Sequence, residues 1–157
     1  MKFTSPTFGK LNLEKLKNTI SAYMKKDKAA KYRIIVGSDS QKTRKSIYDF
    51  VCALIVHRVG QGGIYFWRRE EYDKKIGLKE RMYREASMSL ITAEEFISFF
   101  KENGISKYDI QIHVDIGKKG ETRGLITEVV GMIRGNGYDV KIKPDSFGAS
   151  KVADRHT

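Results

Sequence analysis

The seven residues from Phe50 to Val56 are all apolar, and this run constrains the fold more than any other feature of the chain. It is far shorter than the ~20 residues that a membrane-spanning helix needs. A strand whose side chains are apolar on both alternating sides is covered on both faces of its sheet. The run therefore predicts a buried strand that is covered on two sides.

Patterns on either side of this run predict the other elements. Short apolar or alternating stretches indicate strands, and a period of about 3.6 residues indicates helices. The strands are expected at 32–36, 50–56, 64–67, 109–114 and 138–143. The helices are expected at 11–26, 78–103, 121–134 and 149–155. This order predicts an α/β fold with a mixed sheet, in which three antiparallel strands precede parallel strand–helix units and helices cover both faces.

The length of 157 residues predicts one domain with one hydrophobic core. Within residues 1–157, we expect 1–31 to form an extra N-terminal helix and a basic linker, and 32–157 to form the core. Cys52 is the only cysteine, and its apolar surroundings predict a buried side chain. No apolar run suits a signal peptide or a membrane span, so we expect a cytoplasmic protein.

The chain is strongly basic, with 30 Lys and Arg against 19 Asp and Glu and a formal charge of +11. Such an imbalance favours polyanionic partners, although a basic solvated surface is the alternative. A phosphodiester-cleaving enzyme needs cations for the polymer and carboxylates for its metal ions. The charge therefore predicts a nucleic acid as the partner and leaves the oligomeric state open.

Two aspartates follow apolar strands, and a carboxylate in such a place is costly to bury unless it binds a cation or a proton. Asp39 follows residues 34–36, and Asp115 follows residues 110–114. A third aspartate, Asp154, lies among the last residues. If the folded chain brings these side chains together, they predict a metal site.

The helix expected from Leu78 contains two glutamates that its geometry separates. At about 100° per residue, Glu85 falls on the apolar stripe, whereas Glu80 falls on the side that faces water. An acid on the buried stripe of a helix is a candidate functional residue. The alternative is a structural ion pair between Glu85 and Arg84 or a nearby lysine.

These residues stand in an order that resembles the ribonuclease H-like superfamily. The motifs are Ile-Ile-Val-Gly-Ser-Asp-Ser-Gln at 34–41, His-Val-Asp-Ile-Gly at 113–117 and Ser-Lys-Val-Ala-Asp at 150–154. More narrowly, they look like a family of small, largely uncharacterised bacterial ribonuclease H-like proteins, formerly a domain of unknown function. The resemblance covers about residues 32–157 and implies a five-stranded ribonuclease H-like sheet.

The resemblance also implies a site and an activity. Asp39, Glu85, Asp115 and Asp154 would form a four-carboxylate site for two Mg²⁺ or Mn²⁺ ions that hydrolyses phosphodiester bonds. Asp154 lies three residues from the end of the sequence given, so Asp145 is the substitute for the fourth carboxylate. His156 is a possible proton shuttle, although a histidine there is more often merely exposed.

Polar and basic residues around the carboxylates are candidates for contacts with nucleic acid. They include residues that flank Asp39, a basic and aromatic stretch, and a glycine-bearing loop before a helix. The candidates are Ser40, Gln41, Arg68, Arg69, Lys118, Lys119, Arg123 and Lys151. An ordinary solvated loop is the alternative for 115–122, a segment that does not match a phosphate-binding NTPase loop.

We therefore expect a metal-dependent nuclease of ribonuclease H type that acts on RNA, an RNA–DNA hybrid or structured DNA. Two alternatives remain from the sequence. One is a nucleic-acid-binding module that keeps the fold without catalysis, and the other is a small-molecule phosphohydrolase that uses the same ions.

Overall fold

The computed structural model describes residues 1–44, 46–117 and 120–146. The strands are β1 (Lys2–Ser5), β2 (Gly9–Asn12), β3 (Tyr32–Arg44), β4 (Ile47–Arg58), β5 (Gly63–Tyr72), β6 (Ile110–His113) and β7 (Asp139–Lys141). The helices are α1 (Leu13–Lys25), α2 (Leu78–Glu102) and α3 (Ile126–Gly135), with short 3-10 turns at Lys107–Asp109 and Arg123–Leu125. No helix among these residues is long and apolar enough to cross a membrane.

One mixed sheet runs through the described part of the chain in the order β2-β1-β5-β4-β3-β6-β7. The pairs β3–β4 and β4–β5 are antiparallel, whereas β6 lies parallel to both β3 and β7. The apolar run that includes Val51 and Leu54 forms the middle of β4, which is the fourth strand in this order. The prediction of an α/β fold with a mixed sheet is confirmed.

The predicted number of five strands is wrong, because residues 2–12 form a hairpin that adds β1 and β2 to the edge of the sheet. Phe3 is buried and meets Phe96 edge to face, with 5.6 Å between ring centroids. Leu11 lies in this hairpin, not in the helix. The helix begins one residue after Asn12, whose side chain caps it by accepting the N–H of Lys15 at 2.8 Å.

All three described helices pack on one face of the sheet. On that face Ile34, Val36 and Ser38 of β3 lie under α2, and the core continues to Leu16 of α1 and Ile133 of α3. The prediction of helices on both faces stays a prediction, because the helix expected at 149–155 lies outside the described residues.

A row of polar side chains crosses the interface between the sheet and α2. Ser38, Cys52 and Arg68 are neighbours in register on β3, β4 and β5. Ser38 Oγ lies 2.7 Å from Ser89 Oγ, and Thr92 Oγ1 accepts hydrogen bonds from Cys52 Sγ at 3.3 Å and from Arg68 Nε at 3.0 Å. We call these five residues the polar row. Each of its buried groups has a partner, so it joins the helix to three strands without a surplus of charge.

Candidate metal site

Asp39 and Asp115 lie on neighbouring strands of the parallel part of the sheet. Gly37 of β3 pairs with His113 of β6, and each aspartate stands two residues further along its own chain. Side chains two residues apart on a strand share a face. The register therefore brings both aspartates to the same end of the sheet, as the sequence predicted, although Asp39 lies inside a long strand and not after a short one.

Glu85 reaches this end of the sheet from α2. Its side chain is buried, with 6% of the residue exposed, so the prediction that Glu85 faces the core is confirmed. Ser40 Oγ donates a hydrogen bond to Glu85 Oε2 at 2.5 Å and accepts one from Arg81 Nε at 2.6 Å. Arg84 instead pairs with the exposed Glu80 at 3.8 Å, so the alternative of a Glu85–Arg84 ion pair does not hold.

The electrostatic setting of Glu85 links the three carboxylates. Burial, followed by the negative charges of Asp39 and Asp115, raises the pKa of Glu85 from 4.5 to about 8. The hydrogen bond from Ser40 and the charge of Arg81 act in the opposite direction but do not cancel this rise. Glu85 therefore holds its proton at neutral pH in the metal-free protein.

Asp115 has a direct cationic partner. Lys143 Nζ lies 2.9 Å from Asp115 Oδ1, and both side chains are partly exposed. A small cavity of about 10 Å³ is lined by Glu85, Asp115 and Ser38, among others. A space of that size accommodates about one water molecule.

The donor chemistry of this end of the sheet fits a hard divalent cation. Mg²⁺ and Mn²⁺ take carboxylate oxygens, and a buried carboxylate beside two others is relieved by such an ion. In the described part of the chain, however, no three Asp, Glu, His or Cys side chains are arranged so that they would hold one ion. Asp39, Glu85 and Asp115 would have to reorient to share a metal ion, and Asp154 lies outside the described residues.

Two of the predicted nucleic-acid contacts, Arg68 and Ser40, are buried, and their side chains bond to other residues of the fold. Arg68 is buried under α2, where it bonds Thr92 and the carbonyl oxygen of Met88 and pairs with Glu70. A guanidinium held in this way cannot reach a polymer in solvent. Ser40 is also buried, and its hydroxyl donates a hydrogen bond to the Glu85 carboxylate.

The remaining predicted contacts differ in how accessible they are. Arg69 is half exposed, and its Nε lies 3.2 Å from Oδ1 of the buried Asp49. Gln41 and Arg123 are exposed. Lys118, Lys119, Lys151 and His156 lie outside the described residues.

Asp145, the substitute for the fourth carboxylate, is exposed. It lines an open groove of about 600 Å³ on the sheet together with Arg33, Ile35 and His57. His113 also lines this groove, but its side chain is buried, and burial followed by the charge of Lys141 lowers its pKa to about 4. His113 is therefore a neutral core histidine at neutral pH.

Sequence reasoning missed two residues that act directly on the carboxylates. Arg81 stands four residues before Glu85 on the same face of α2, so helical spacing offered a signal for it. Lys143 offered none, because it comes from a different element than Asp115 and only the folded sheet brings them together.

The fold and the carboxylates define a class of protein. The chain belongs to the ribonuclease H-like family, whose model matches residues 15–157. It is similar to a protein of Bacillus subtilis (strain 168) named "Uncharacterized protein YkuK", with 33% identity over 150 residues that cover 88% of this chain and 86% of the relative. No solved structure gives a significant match to the chain.

Proposed function

We propose that this protein is a metal-dependent nuclease that hydrolyses phosphodiester bonds in RNA, an RNA–DNA hybrid or structured DNA, and that its 157 residues form a single domain. The observation that carries the proposal is the buried Glu85 beside Asp39 and Asp115. A buried acid whose pKa is raised by burial and by two neighbouring acids destabilises the fold in its charged form. A bound cation would stabilise that charged form, which explains why an acid is found at this position. Family membership and the charge of +11 support the same conclusion.

In this proposal the carboxylates hold two Mg²⁺ or Mn²⁺ ions. Asp39 and Asp115 are the central ligands, Glu85 completes one ion and Asp154 the other. When bound, the ions supply an activated water and neutralise charge on the leaving oxygen. Ser40 and Arg81 orient Glu85, while exposed cations such as Arg123 attract the phosphates of the polymer.

A second candidate, a binding module without catalysis, is favoured by one observation. Within residues 1–44, 46–117 and 120–146, no three potential ligands surround a common point. A protein that kept the fold but lost the catalytic arrangement would show this feature. The basic surface would then bind nucleic acid without cutting it.

The test is cleavage of labelled RNA, hybrid and DNA oligonucleotides with Mn²⁺ or Mg²⁺, using purified wild-type protein. We expect metal-dependent cleavage that Asp39→Asn and Asp115→Asn each abolish. Asp139→Asn is the matched control, because Asp139 is a partly exposed carboxylate on β7 that pairs with Lys141. It should retain wild-type activity.

The other outcomes separate the alternatives. Binding of oligonucleotides without cleavage under either metal would favour the binding module. Cleavage that nucleotides inhibit but long polyanions do not would favour a small-molecule phosphohydrolase.

A further inference from the structure

Lys143 is held beside Asp115 by the backbone of the sheet. Two hydrogen bonds continue the contact between β6 and β7 beyond their ends, from Val114 N–H to the carbonyl oxygen of Lys141 at 3.0 Å and from Lys143 N–H to that of Ile116 at 2.9 Å. The chain after β7 therefore runs alongside residues 114–116. This path places the Lys143 ammonium 2.9 Å from Asp115 Oδ1.

The ammonium occupies a position on the carboxylate that a metal ion would need. A carboxylate oxygen that accepts a hydrogen bond from a lysine ammonium is less available to a divalent cation. The pair is also exchangeable, because Asp115 is 36% and Lys143 56% exposed, and ion pairs of this kind are weak. The cation of the pair can therefore leave when a stronger one arrives.

We propose that the Lys143 ammonium competes with the divalent cation for the carboxylate of Asp115. Metal binding would then replace the ammonium with the metal ion. This inference rests on the proposed function. It accounts for two observations together, namely the ion pair at Asp115 and the lack of convergence of the described carboxylates. Lys143 thereby sets the metal concentration at which the site fills.

The experiment is titration of purified protein with Mn²⁺ by calorimetry, which measures the Kd without any activity assay. Lys143→Met removes the charge and keeps most of the length of the side chain, so it should lower the Kd by about two- to fivefold, which lies within the range for a partly exposed ion pair. Lys143→Arg keeps the charge and should leave the Kd at or above the wild-type value. Lys141→Met is the matched control, because Lys141 is two residues away and pairs with Asp139 at 3.6 Å. It should change the Kd by less than about 1.5-fold.

A second measurement follows Lys143 itself. In the metal-free protein, the NMR signal of its side-chain Cε should move on addition of Mg²⁺. Asp115→Asn should move the same signal in the same direction without any metal, because both changes break the ion pair.

The results separate the two proposals. If wild-type protein binds Mn²⁺ and Lys143→Met leaves the Kd unchanged or raises it, the competition is overturned and the metal site stands. If wild-type protein binds neither ion, both proposals are overturned.

Discussion

Two polar regions each contain buried side chains of α2, and they differ in how their polar groups are paired. The polar row (Ser38, Cys52, Arg68, Ser89 and Thr92) satisfies each of its buried groups inside the fold. One turn towards the start of the helix, the carboxylate end (Asp39, Glu85 and Asp115) brings three acids together, and burial followed by the charges of the two aspartates raises the pKa of Glu85. Buried polar groups can thus be satisfied entirely inside a fold, whereas a buried acid with a strongly raised pKa is a candidate functional residue.

The largest expected effect is on the rate of metal-dependent cleavage, and it concerns Glu85 of the carboxylate end. Glu85→Gln keeps the shape of the side chain but removes its charge, so it should lower metal-dependent cleavage by about 100-fold or more. The measurement is the initial rate at saturating Mn²⁺. Glu80→Gln is the control on the exposed side of the same helix, and it should cut at the wild-type rate. Equal cleavage rates for the wild type, Glu85→Gln and Glu80→Gln would show that the Glu85 carboxylate has no catalytic role.

The next largest effect is the pH dependence of the free energy of unfolding of the metal-free protein. Because the folded pKa of Glu85 is raised from 4.5 to about 8, the folded state holds a proton that the unfolded state has lost, and stability falls as pH rises through this range. His113 acts oppositely below the ordinary histidine pKa of 6.5, since its folded pKa is lowered to about 4. The net fall should therefore appear between pH 6.5 and 8.

We expect the free energy of unfolding of the wild-type protein to drop by about 2 kcal/mol across that window. Urea denaturation in chelator measures it. Glu85→Gln should show no such drop, and it should be more stable than wild type at pH 8. A drop of the same size in Glu85→Gln would assign the pH dependence to another group.

The smallest effect concerns the polar row. Thr92→Val removes the hydroxyl that accepts from Arg68 and Cys52, so it should lower the free energy of unfolding by about 1.5 kcal/mol. Unlike Glu85→Gln, it should leave the Kd for Mn²⁺ unchanged. Thr127→Val, at an exposed position of α3, is the control and should stay within about 0.5 kcal/mol of wild type. A large loss of metal affinity in Thr92→Val would erase the distinction between the two regions.

Local patterns predicted most of the elements but missed the N-terminal hairpin. The apolar run in β4 and the helical period of α2 are strong because each extends over many residues. The hairpin strands are four residues each, which is too short for a pattern to stand out, although Pro6 and Gly9 were signals for the turn. The position of Arg68 was misjudged for a related reason, since charged residues on strands are usually exposed and only the overlying helix buries this one.

The sequence by itself determined the order of strands and helices, the inward direction of Glu85 and the family of the chain, because periodicity and motifs are local properties. Only the tertiary structure decided which side chains meet. The parallel register of β3 and β6 brings Asp39 and Asp115 to one end of the sheet, and the path of the chain after β7 sets Lys143 against Asp115. Contacts of this kind join residues far apart in sequence, and their energy depends on burial and distance that no local pattern specifies.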